Sequence, residues 1–159
     1  MRLDFCYITI IIGAVFISGC INQQKVSEIG EEVKLKTEDG FTIIGTFYKG
    51  DSNNGIILMH MLNRNRNDWS DFAYRLNKEG YNVLSIDFRG HGQSTNKEGR
   101  SVSWQTFSSK DFNNMVLDVK VAKQFLGKKK IEKVSIVGAS IGANIAVSYA
   151  AEESEIKTV

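Results

Sequence analysis

The chain reads as an α/β protein with a mostly parallel sheet, flanking helices and antiparallel strands at the N-terminus. Three observations predict this. Short β-branched runs alternate with segments of helical periodicity, the pattern of strands joined by crossover helices. The middle runs, such as Gly55-Ile56-Ile57-Leu58-Met59-His60, are continuously apolar, as strands covered on both faces are. Ahead of them, two runs flank Glu38-Asp39-Gly40, a hairpin-type turn.

The elements follow in order. Residues 32–37 alternate polar and apolar, as an edge strand does, and residues 41–48 form its partner. Residues 50–54 are a turn before the first central strand at 55–60. Asp68 is placed to cap a helix over 69–79, in which Trp69, Phe72, Ala73 and Leu76 share one face, and Gly80 closes it. Residues 83–87 make the next strand, and a loop runs to about Ser109. Phe112, Met115, Val116, Val119, Ala122, Lys123 and Leu126 mark a long amphipathic helix ending at Gly127. Residues 133–137 are a short strand, and residues 144–151 an alanine-rich helix. Residues 156–159 resemble the opening of one more strand.

The chemistry concentrates between those last two regular elements, at Gly138-Ala139-Ser140-Ile141-Gly142. A serine on a sharp strand-to-helix turn presents its hydroxyl at the top of a parallel sheet. The flanking glycines let the strand and helix backbones approach, and the serine itself takes strained geometry. A serine nucleophile needs a base, yet the sequence after Ser140 contains no histidine.

With 159 residues, 42% apolar and 24% charged, the chain can build one globular domain. A formal charge of +2 gives no argument for a nucleic-acid partner. The basic run Lys128-Lys129-Lys130 reads as a solvated turn after a helix. Cys6 and Cys20, with only His60 and His91 beside them, form neither a disulfide framework nor a metal site, and nothing points to a cofactor. Arg2 and the apolar run 5–17, shorter than a spanning helix, read as a secretory signal.

Four motifs carry resemblances. Ile17-Ser18-Gly19-Cys20 resembles a lipobox, which implies lipidation of Cys20 after cleavage; an uncleaved anchor and plain secretion are the alternatives. The organisation expected is a signal at 1–19, a lipidated tether at 20–31 and a domain at 32–159, held on the extracytoplasmic face of a membrane. Ile56 to His60 followed by Asn63-Arg64-Asn65 and Trp69, then Asp87-Phe88-Arg89-Gly90-His91-Gly92-Gln93-Ser94, and finally Gly138 to Gly142 resemble the α/β-hydrolase superfamily. The likeness is to its lysophospholipase-like and serine-aminopeptidase-like group, with some to dienelactone-hydrolase-like proteins.

That resemblance implies roles. Ser140 is the nucleophile, and the Ile141 amide is one oxyanion donor. Met61 or Leu62 supplies the second, although Met61 stands where the family usually has glycine. His60, Asp87, Arg89, Gly90, His91 and Gly92 belong to structural motifs, as do Gly138 and Gly142. Asp111 reads as a helix cap and Asp118 as a solvated helix residue.

In the family the acid and histidine follow the serine, so the resemblance implies an incomplete, C-terminally truncated α/β-hydrolase fold. Three readings remain open: a hydrolase of esters, thioesters or small amides that is inactive as this chain; a membrane-tethered, non-catalytic binding remnant; and a broken gene product. The partner is a small acyl substrate if active. The exposed sheet edge predicts self-association.

Overall fold

The computed structural model of the protein describes residues 30–152. The signal, Cys20, nearly all of the tether and the expected strand at 156–159 lie outside the described residues. Seven strands form one sheet. Strand β1 (Glu31–Lys36) pairs antiparallel with β2 (Phe41–Tyr48), Val33 opposite Gly45. The other side of β2 carries β4 (Asn82–Ile86), also antiparallel. Strand β3 (Asn54–Met59) lies parallel to β4 on one side and to β7 (Lys133–Gly138) on the other. The small hairpin of β5 (Asn96–Lys97) and β6 (Arg100–Ser101) extends the sheet from the start of β2.

Strand alternation assigns the central side chains to two cores. Ile57, Met59, Leu84, Ile86, Val134 and Ile136 face one side, beneath helices α3 (Val116–Lys128) and α4 (Ile141–Glu152). Ile56, Leu58 and Val83 face the other, where Ala73 of α1 (Ser70–Lys78) packs with Trp69 and Leu76. Helices therefore cover both faces, as the continuous apolar runs of β3 and β4 require.

Helix ends differ from expectation in instructive ways. Asp68 does not cap α1. A 3-10 turn, Arg66–Trp69, precedes the helix and is capped by the Asn65 side chain, while Asp68 takes an i,i+4 ion pair with Arg64 at 2.6 Å. The long helix expected from Phe112 is two, α2 (Ser109–Asn113) and α3, separated at Asn114 and Met115. Asp111 is the third residue of a capping box whose cap is Ser108. Helices α1 and α3 both end in the doubly bonded C-terminal motif. Tyr81 and Gly80 amides bond Leu76 and Asn77 carbonyls, and Ile131 and Lys130 amides bond Leu126 and Gly127 carbonyls. The left-handed residue is Gly80 (φ +87°) in the first and Lys130 (φ +64°) in the second.

The largest correction concerns Asp118, which is fully buried rather than solvated. Its carboxylate accepts from the Arg89 backbone amide at 2.9 Å and from Arg89 Nε at 2.8 Å. Arg89 is 1% exposed, bonds Asp39 from its other side and lies over the Phe41 ring. Burial pushes the Asp118 carboxyl up to about 6, against the pull of the guanidinium. Removing one member of such a pair leaves an uncompensated interior charge. Asp118→Ala is expected to cost about 3 kcal/mol in urea denaturation. Arg89→Met combined with Asp118→Leu should recover most of that; a single-variant loss under about 1 kcal/mol contradicts the pairing.

Candidate active site

The elbow begins where β7 ends. Met59 and Gly138 are register partners on β3 and β7, and the Ala139 amide donates to the Met59 carbonyl at 3.1 Å. The chain then reverses into α4 within two residues, and Ser140 takes a left-handed φ of +53°. That conformation is strained for a non-glycine residue.

Crowding explains the glycines. A Cβ on Gly142 would sit 2.7 Å from the Met59 carbonyl oxygen and 2.9 Å from that of His60. A Cβ on Gly138 would lie 2.6 Å from the Ala143 amide nitrogen and overlap the Gly142 carbonyl. Only glycine lets these backbone segments meet. Ser140 is left exposed, and the Ile141 amide, first in the helix, has no intrahelical acceptor.

The loop after β3 reaches the same corner. A cavity of about 180 Å³ is walled by His60, Met61, Asp68, Trp69 and Ala139, so Met61 shares a wall with the residue before Ser140. Leu62 does not line that cavity. Met61 and Leu62 are 44% and 40% exposed, and neither amide donates to an acceptor among the described residues.

Asp87 holds this loop. Its carboxylate accepts from the Arg66 amide at 2.7 Å, the Arg66 guanidinium at 2.5 Å and the Gln93 amide at 2.8 Å. Gly92, at φ +50°, lies against it, and a Cβ there would strike the carboxylate. Gly90, at φ +71°, admits the Trp104 backbone. Ser94 Oγ donates to the Asp87 carbonyl and accepts from the Ile44 amide, each at 2.8 Å. The turn from Asp87 to Ser94 is thus a structural knot linking β2, β4 and the loop after β3.

Both histidines belong to that knot. A carbonyl only accepts, so His60 Nδ1 donates to the Met61 carbonyl at 2.6 Å. Nε2 is then the acceptor of the Phe88 amide at 3.0 Å. His91 Nδ1 donates to the Arg89 carbonyl at 2.9 Å, its ring stacks on Trp104, and its Nε2 is buried with no partner among the described residues. Neither ring bonds Ser140. Burial lowers both values below the ordinary 6.5, opposed by the bonds to Met61 and Arg89.

Sequence reasoning missed Arg66 and the buried role of Asp118. The second had a signal, since Asp118 lies on the helical face of Met115, Val119, Ala122 and Leu126. Arg66, 21 residues from its partner Asp87, had none.

This fold, with a strained serine on a strand-to-helix corner, defines an α/β hydrolase. Residues 50–159 match the family described as serine aminopeptidase, S33, and the chain belongs to that family. A serine hydrolase-like protein of Dictyostelium discoideum is 32% identical over 123 residues, 77% of this chain and 32% of that protein. An esterase of Pyrococcus furiosus superposes with a TM-score of 0.65 at 28% identity, covering 84% of this chain and 50% of the esterase. An α/β hydrolase of Novosphingobium aromaticivorans, at 24% identity and a TM-score of 0.63, shares the fold over 80% of this chain and 42% of its own. The chain therefore spans about a third to a half of the length of these relatives.

The burial of the two histidines generates a pH prediction. A folded state that keeps both rings neutral binds fewer protons than the unfolded chain below pH 6.5. Stability is therefore full above 6.5 and declines as the pH falls beneath it. Proton NMR should show both ring signals in the neutral form at pH 6.5. A midpoint at or above that value contradicts the burial of that ring.

Proposed function

We propose that this chain carries the nucleophile and oxyanion half of a serine hydrolase acting on esters, thioesters or small amides. The observation that carries the reading is Ser140 at φ +53°, held between two glycines that no side chain could replace without collision. Ser140 Oγ attacks the acyl carbon, forming a C–O bond as the carbonyl pair moves onto oxygen. The Ile141 amide stabilises that oxyanion, with the Met61 or Leu62 amide as second donor; one such donor is typically worth about 10²–10³ in rate. Collapse expels the alcohol, thiol or amine and leaves an acyl-enzyme, which water cleaves.

The serine proton needs an acceptor, and the sequence holds only two histidines. Both have their Nδ1 bonded to backbone, and the free nitrogen of His91 is buried. Neither histidine is therefore placed to take it, and we infer that Ser140 is only weakly activated in this chain. A membrane-tethered binding remnant is the second reading, favoured by the same two occupied imidazoles. In either case we infer a lipid anchor at Cys20 that places the domain outside the cytoplasm, on the lipobox-like residues before it.

A fluorophosphonate probe separates these ideas. The chain alone should label weakly, and Ser140→Ala should abolish what labelling there is. Labelling at the rate of a complete serine hydrolase contradicts the missing base, and labelling unchanged in Ser140→Ala contradicts the nucleophile. The outer edge of β7, with no partner strand among the described residues, supports self-association as well. Size-exclusion chromatography should show oligomers at micromolar concentration; a sharp monomer peak contradicts them.

A further inference from the structure

The parallel strands divide the molecule into two ends. Strands β3, β4 and β7 finish at the elbow, at Met59, Ile86 and Gly138. They begin about 20 Å away, the length of a six-residue strand. At that far end lies the larger cavity, about 360 Å³, with Phe47, Lys49, Asn82, Lys129, Lys130 and Ile131 in its wall. Three lysines line it and no carboxylate does. Lys128 and Lys133 flank it, as do Asp51, Glu132 and Glu31, leaving the lysines in excess.

Two observations set this end apart from an ordinary solvated turn. Lys130 occupies the left-handed position that closes α3, at φ +64°, where α1 uses Gly80. A lysine there bears a conformational cost that glycine avoids. Lys129 Nζ lies 5.0 Å from the Phe47 ring centre and 4.9 Å from that of Phe125, which fixes its stem along the cavity wall.

The chain also arrives at this end. Strand β1 begins with Glu31 opposite Phe47, itself a cavity residue. Between Cys20 and Gly30 lie ten residue steps, which reach at most about 35 Å. An anchor at or before Cys20 would hold the lysine-bearing end, where β1 starts, within about 35 Å of a bilayer.

We propose that the Lys49, Lys129 and Lys130 end is a docking surface for anionic phospholipid, orienting the domain with Ser140 away from the membrane. The inference extends the anchor reading of the N-terminus and is independent of the hydrolase reading. A lipid surface fits better than a small soluble anion because the cavity offers no free fixed amide donor from Asn82. Its Oδ1 accepts from the Gly50 amide and its Nδ2 donates to the Ser52 carbonyl. What remains is ammonium charge at the ends of lysine side chains, which acts over a Debye length of about 8 Å at physiological salt.

The test uses the full chain recovered from membranes with its N-terminus as processed in the cell. It is mixed with neutral phosphatidylcholine vesicles or with vesicles containing 30 mol% phosphatidylglycerol (about the anionic content that gives a substantial surface potential). Flotation with neutral vesicles reads the anchor alone. Amine acetylation followed by mass spectrometry reads the surface. On anionic vesicles Lys49, Lys129 and Lys130 should be modified at least about fivefold more slowly than on neutral ones, while Lys97 and Lys110 are unchanged. High salt should remove the protection.

Lys49→Gln/Lys129→Gln/Lys130→Gln should lower binding to anionic vesicles more than Lys97→Gln/Arg100→Gln/Lys110→Gln, which removes the same charge elsewhere. Equal modification on both vesicle types, equal effects of the two triple variants, or protection by inorganic phosphate on neutral vesicles overturns the proposal. Failure to float with neutral vesicles overturns the anchor and leaves the lysine protection readable.

Discussion

The structure turns on one crowded corner, where the ends of β3 and β7 and the start of α4 meet within hydrogen-bond distance. The Ala139 amide reaches the Met59 carbonyl at 3.1 Å, and Gly142 lies against the Met59 and His60 carbonyls. Once those contacts form, the chain has only two residues in which to reverse, and Ser140 must accept a left-handed backbone. The exposure of its hydroxyl and the unbonded Ile141 amide follow from the same reversal. Both are by-products of backbone packing at a corner that tolerates little added volume.

Buried charge fixes what the corner faces. Asp87 sits at the end of β4, yet its carboxylate is shared between the loop after β3, through Arg66, and its own turn, through Gln93. Arg66 in turn reaches Thr46 and Glu32 on β2 and β1. The second pair, Arg89 with Asp118, ties the same turn to α3. Replacing such pairs by apolar groups is often neutral in stability, so their value here is geometric. They set where the loop bearing Met61 stands relative to Ser140. Every donor around Asp87 is a directional contact that an apolar core would not supply.

Much of this was legible in the residues. The strands and the order of helices follow from periodicity and from apolar runs whose physical cause is burial on both faces. The elbow was legible because its glycines answer a local steric demand. What escaped was non-local. Asp68 has the chemistry of a helix cap, but it lies inside the 3-10 turn that Asn65 caps through the Asn67 amide, and its carboxylate pairs with Arg64 instead. The segment 112–127 has one continuous helical period, yet the capping box at Ser108 starts a first helix earlier, and the turn at Asn114 and Met115 separates it from the second. Asp118 was misread because a carboxylate on a helix is ordinarily solvated, and its partner Arg89 is 29 residues earlier on another element. The Arg66–Asp87 pair has the same character. Sequence patterns report which face a residue occupies; they do not report which distant charge will meet it there.

The histidines show why proximity to the elbow is not a role. His60 directly follows β3 and lines the cavity that reaches Ala139, so by position it invites the part of a base. Its bonds forbid it. Turning the ring toward Ser140 would strand the buried Phe88 amide and release the Met61 carbonyl, and each unmet buried group costs about 1–3 kcal/mol. A base must also gain a proton during attack, and burial disfavours the charged ring. Protonating His60 would place a donor where the Phe88 amide already donates. The imidazole is therefore spent on shaping the loop that carries Met61. Ser140 stays exposed, with neither imidazole bonded to it.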